Sequence, residues 1–154
     1  MRFSKASRRD FILRFADAGG FDPDLVTEFI LTAESVDGIS SVTDSYGMRL
    51  ICAPDGDTWV SIMYFTTSDF GASIYVDPVE FCDQLAASCR LPCECDDFLR
   101  FFSDYLDASR CPSNLCDYHS KGIFYADVGK VLTHSSEFAD ALAGLMIELE
   151  DIVD

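Results

Sequence analysis

The residues best suited to chemistry gather between positions 89 and 119: Cys89, Cys93, Cys95, Cys111, Cys116 and His119. Four thiolates, or three with an imidazole, satisfy the tetrahedral preference of zinc. Cys93-Glu-Cys95 and Cys111-x4-Cys116-x2-His119 bracket a predicted helix, which makes Cys93, Cys95, Cys111 and Cys116 a candidate zinc site. The spacing departs from the Cys-x2-Cys pairs of standard zinc modules. The plain alternative is a set of buried thiols, because free cysteine packs as a small hydrophobe. Zinc is thus the one candidate cofactor, and nothing in the sequence requires it.

Signatures of catalysis are absent. There is no nucleophile elbow, phosphate-binding glycine loop, dinucleotide fingerprint or zinc-protease helix. His119 and His134 are the two imidazoles, and nothing in their surroundings pairs either with a cysteine nucleophile. With 27 carboxylates, an acid/base pair can always be imagined, so the thought carries no information. Asp55-Gly56-Asp57 places its glycine wrongly for a calcium loop and lacks the bidentate glutamate, so it reads as a turn. No catalytic residue is assigned, and the expectation is a binding protein rather than an enzyme.

Charge is the strongest signal. The net charge is −16, unevenly spread. Residues 1–14 carry Arg2, Lys5, Arg8, Arg9 and Arg14 against Asp10 alone, a local +4; the rest carries 26 acids against six bases, a net −20. Neither Lys nor Arg occurs from Phe15 to Met48, from Leu50 to Cys89, or from Val131 to the end. Such a field repels nucleic acid and anionic membranes and attracts basic proteins.

The elements that would hold these residues can be read from caps and periodicity. A composition 49% hydrophobic and 13% aromatic rules out disorder, and 154 residues suit one domain spanning 1–154. Ser7 to Gly19 reads as a helix with Phe11, Ile12, Phe15 and Ala16 on one face, not as a targeting peptide. Asp22-Pro23 opens a second helix to about Ser35. Met48–Ala53 and Thr58–Thr67 flank the Pro54–Asp57 turn, with a third strand at Ala72–Val76 and a short fourth at Gly122–Val128. Asp77-Pro78-Val79-Glu80 caps a helix to about Cys89, another runs Asp96–Ala108, and a last one starts near Ser136. The expected fold is α+β: a small antiparallel meander of three to four strands with four to five helices in a layer upon it. Seven cysteines, an odd number, without an export signal point to a reducing, cytoplasmic setting with free thiols.

Two helices present the densest charge. On the helix from Asp96, residues Asp96, Asp97, Asp104 and Asp107 are expected beside Arg100, which is placed to pair with Asp96 and Asp104 one turn away. On the last helix stand Glu137, Asp140, Glu148, Glu150 and Asp151. Acids at its carboxyl end oppose the helix dipole, at roughly 0.3–1 kcal/mol each. A sequence that breaks a local rule so consistently suggests that the charges are used; the bland alternative is solubility. Duplex DNA carries one charge per ~1.7 Å, so twenty charges correspond to ~34 Å, and a domain of this length has a radius of gyration of about 15 Å. In charge density the chain resembles phage-encoded nucleic-acid mimics that block CRISPR effectors or restriction enzymes, and the acidic immunity proteins of nuclease toxins. That resemblance implies an inhibitor, of anti-CRISPR, anti-restriction or nuclease-immunity type, whose partner is a basic nucleic-acid-handling protein, with no direct nucleic-acid or membrane contact. The nine acids named on the two helices are the expected contact residues. A zinc-stabilised or regulatory interaction module, or a small enzyme without a recognisable motif, are the other readings.

Overall fold

Two Asp-Pro pairs set the start of two helices in this computed structural model, which describes residues 5–44, 47–68, 71–90, 92–110 and 123–153. The Asp22 carboxylate accepts the Asp24 N–H, and Asp77 accepts the Glu80 N–H, while each proline fills a position that needs no donor. Helix α1 spans Lys5–Gly19 and α2 Pro23–Glu34. Strands β1 (Ile39–Asp44), β2 (Gly47–Cys52), β3 (Val60–Ser68) and β4 (Gly71–Val76) follow. Then come α3 (Pro78–Gln84), a π-helical turn at Leu85–Cys89, α4 (Cys95–Arg100) and a 3-10 turn at Ser103–Tyr105. Strand β5 (Phe124–Ala126), α5 (Val128–Thr133) and α6 (Ser135–Val153) complete the described chain.

The sheet is a five-stranded antiparallel meander in the order β1-β2-β3-β4-β5. The α+β class is as expected, with one more strand and one more helix than the caps and periodicity indicate. Strand β1, Ile-Ser-Ser-Val-Thr-Asp, has too little hydrophobic alternation to announce itself; it forms because β2 offers a full register from Ile39↔Cys52 to Asp44↔Gly47. Strand β5 stops at Ala126, short of the expected Val128, because Asp127 accepts the Lys130 N–H and caps α5.

Alternation along the strands sends Met48, Leu50, Met63, Phe65, Ile74, Val76, Phe124 and Ala126 into the core. There a continuous chain of phenylalanine rings joins them to the helices: Phe11 and Phe15 of α1, Phe65 of β3, Phe29 of α2, Phe138 of α6, Phe102, Phe98 of α4 and Phe81 of α3, neighbours 4.2–6.0 Å apart. Such rings bury 150–250 Å² each on typical figures, so this chain accounts for much of the fold's cohesion. The other face carries a cross-strand row, Val42, Arg49, Tyr64, Tyr75 and Tyr125, one residue from each strand. Tyr64 and Tyr75 stack at 5.0 Å, Tyr75 meets Tyr125 edge-on at 6.0 Å, and Arg110 lies over the Tyr125 ring.

The helix expected from Asp96 to Ala108 is much shorter. It begins at Cys95 and ends at Arg100, and after the 3-10 turn the backbone becomes extended. The Asp107 N–H donates to the Tyr125 carbonyl, the Asp127 N–H to the Tyr105 carbonyl, and Leu106 bridges Ala126. The open side of β5 takes up these backbone groups, and that tertiary pairing overrides the helical periodicity of the apolar residues.

Candidate functional site

Helices α2 and α6 pack side by side, and neither contains a lysine or arginine. Between them they carry Asp24, Glu28, Glu34, Glu137, Asp140, Glu148, Glu150 and Asp151. Among the described residues only two of these eight enter ion pairs, Glu34 with Arg8 and Glu148 with Arg100. A groove of about 600 Å³ runs between the two helices. Its lining combines Val36, Met146 and Ile147 with the hydroxyl residues Thr32, Ser35 and Ser136 and the acids Asp37, Asp140 and Glu150. Ile147 is 60% exposed, more than a side chain of the core-facing stripe would be. The result is a lining of mixed apolar, hydroxyl and carboxylate side chains that holds no basic residue.

The nine acids expected to act together divide into separate groups. Asp96 and Asp97 occupy the first turn of α4, where negative charge complements the helix dipole. Arg100 pairs with Asp97 at 3.5 Å and with Glu148 of α6 at 3.2 Å, not with Asp96 and Asp104. Because α4 stops at Arg100, Asp104 no longer lies one helical turn below it. Asp104 instead joins Glu137 and Asp140 near Tyr105: burial first, then these three carboxylates, raise the Tyr105 hydroxyl above its usual range. Asp107 is committed locally, since its carboxylate accepts the Ser109 N–H and hydroxyl, and those bonds lower its pKa. Asp140 and Glu150 are the two expected contact acids that line the groove. Asp37, Met146 and Ile147 were missed as site residues, for the sequence does not reveal that the α2 carboxyl end lies against α6.

Of Cys93, Cys95, Cys111 and Cys116, the last two, with His119, lie outside the described residues. Among the described residues no group of three His, Cys, Asp or Glu side chains is placed to hold a metal ion. The nearest partner of Cys93 is Cys82, from the carboxyl-terminal part of α3, whose S–H donates to the Cys93 sulfur at 2.7 Å. That bond, then burial, raises the Cys82 thiol, and the same bond lowers Cys93. Eleven residues separate Cys82 from Cys93 and no motif joins them, so the sequence does not single out this pair.

The remaining apolar-polar surface lies on the sheet. Tyr64 donates its hydroxyl hydrogen to Glu80, and Arg49 reaches the Ser61 hydroxyl at 3.2 Å. Burial raises both Tyr64 and Tyr75, with Glu80 adding to each. These tyrosines remain neutral at physiological pH and act as packing and hydrogen-bonding groups. The Pro54–Asp57 segment is the expected turn: Asp55 accepts the N–H groups of Asp57 and Thr58, and Gly56 has φ +83°.

No helix among the described residues is long and apolar enough to cross a membrane. No protein-family model, curated protein or solved structure matches this chain.

Proposed function

We propose that this protein is an acidic inhibitor that docks a basic, nucleic-acid-handling protein on its α2–α6 face and so keeps nucleic acid from that partner. The observation that carries the reading is the groove whose lining sets Asp37, Asp140 and Glu150 beside Met146 and Ile147. Lysine and arginine combine an aliphatic stem with a charged head. A basic side chain laid in this groove rests its stem on Met146 and Ile147 and its head among the three carboxylates. The surrounding uncompensated acids on both helices supply long-range attraction, which speeds encounter more than it raises final affinity. A partner that normally grips phosphates presents the matching surface, in the manner of the anti-CRISPR, anti-restriction and nuclease-immunity proteins that the charge density resembles.

The test combines capture with competition. Wild-type protein and the triple variant Asp37→Lys/Asp140→Lys/Glu150→Lys are used to capture proteins from host lysate, and the captured protein is then assayed for nucleic-acid binding. Three reversals at ~0.5–1 kcal/mol each should weaken binding roughly 10- to 100-fold and restore nucleic-acid access. All three positions are exposed, so the fold should persist. Equal capture by both proteins, or binding indifferent to salt, would refute the reading.

A further inference from the structure

We infer that Cys82 and Cys93 form a reversible intramolecular disulfide when the protein meets a small disulfide oxidant, making the α3–α4 junction an oxidation site. Their sulfurs lie 2.7 Å apart, well inside the roughly 3.5–4.0 Å of an ordinary non-bonded contact. A disulfide spans ~2.05 Å, so the two sulfurs have only a short gap to close. Access decides the order of events. Cys82 is buried, whereas Cys93, in the link before α4, is only partly buried. Cys95, the first residue of α4, is a further thiol two residues from Cys93.

The chemistry balances as two exchanges. The Cys93 thiol loses its proton to solvent, and its sulfur attacks one sulfur of an oxidant R–S–S–R. The oxidant's S–S bond breaks, one R–S⁻ leaves and takes up a proton, and Cys93 is left joined to the other R–S group. Cys82, already directed at Cys93, then loses its proton and attacks the Cys93 sulfur, expelling the second R–S⁻, which is protonated in turn. Two protein thiols are oxidised to one disulfide, and one small disulfide is reduced to two thiols. Glu94, Asp97 and Glu148 surround the entry point at Cys93. A cationic disulfide is therefore favoured over an anionic one.

The consequence is mechanical. The bond would tie the end of α3 to the residues just before α4, which carries Asp97 and Arg100 and, through Arg100, holds Glu148 of α6. Oxidation would anchor that acidic corner.

The test uses the full-length protein, reduced, desalted and exposed either to cystamine or to glutathione disulfide. Peptide mapping without reductant should find Cys82 linked to Cys93, and alkylation should lose these two thiols together. Cystamine should react several-fold faster than glutathione disulfide, with the gap narrowing at high salt. Oxidation should raise the thermal midpoint of the wild type and leave that of Cys93→Ser unchanged; Cys95→Ser should still form the link. A lasting cystamine adduct on wild-type Cys93, a dominant bond between other cysteines, or Cys82 remaining free for alkylation after unfolding would each overturn the inference.

Discussion

Burial at a single sulfur has a measurable consequence. Cys52, on β2 and wholly inside the core, has its thiol pushed up to about 12 by burial, with Cys89 adding a smaller effect. In the unfolded chain such a thiol ionises near ~8.5. Below that pH both states keep the proton and the full contribution to stability is present. Above it the unfolded chain releases the proton while the folded chain holds it, so stability falls by up to about 1.4 kcal/mol per pH unit until the folded thiol itself ionises. The thermal midpoint should therefore decline between pH 8.5 and 10.5. Cys52→Ala should be less stable at neutral pH, by about 1 kcal/mol for the lost sulfur contact, but should decline less steeply with pH. Parallel curves for the two proteins would show that Cys52 titrates no differently in the two states.

At the scale of elements, the β1–β2 hairpin depends on one glycine. Gly47 has φ +150°, and a Cβ placed there would come within 2.2 Å of the Phe65 carbonyl oxygen on the neighbouring strand. That oxygen belongs to the backbone and cannot swing aside. Gly47→Ala should cost more than about 2 kcal/mol, read as a lower urea midpoint; a change under 0.5 kcal/mol would mean the hairpin relaxes freely. The carboxyl end of α6 makes the opposite kind of prediction. Glu150 and Asp151 oppose the helix dipole and have no ion pair among the described residues. Replacing either with lysine should stabilise the fold by roughly 0.3–1 kcal/mol. Glu148→Lys should not share the gain, because it breaks the contact with Arg100 and sets two cations together. If all three behave alike in urea unfolding, the geometry around Arg100 is irrelevant to stability.

Over the whole molecule, a net charge of −16 is a source of self-repulsion that folding concentrates. Salt shortens the reach of charge from ~10 Å at 0.1 M to ~3 Å at 1 M. The thermal midpoint should rise with sodium chloride over that range, while association with a basic partner should slow. The opposite signs would separate self-repulsion within the fold from the proposed recognition of a basic partner. A midpoint that falls with salt would indicate that the few ion pairs, Arg8–Glu34 and Arg100–Glu148 among them, outweigh the repulsion.

The sequence alone determined what depends on neighbours along the chain. Asp22 and Asp77 cap their helices because the donating N–H groups lie two or three residues away. The stripe Val26, Phe29, Ile30 and Ala33 is buried because helical spacing puts it on one face. The excess of acids over bases is likewise composition, untouched by folding. Tertiary structure alone decided which distant groups meet. It halted the fourth helix at Arg100 by drawing Asp107 into hydrogen bonding with Tyr125, so Arg100 found Glu148 instead of Asp104. It recruited β1 through pairing with β2, set Asp37 opposite Asp140 and Glu150, and brought Cys82 to Cys93. Local rules act through caps, periodicity and turns a few residues apart. The grooves and paired thiols depend on packing between elements, and the strand that takes up a backbone group is chosen by that packing rather than by the residue's own propensity.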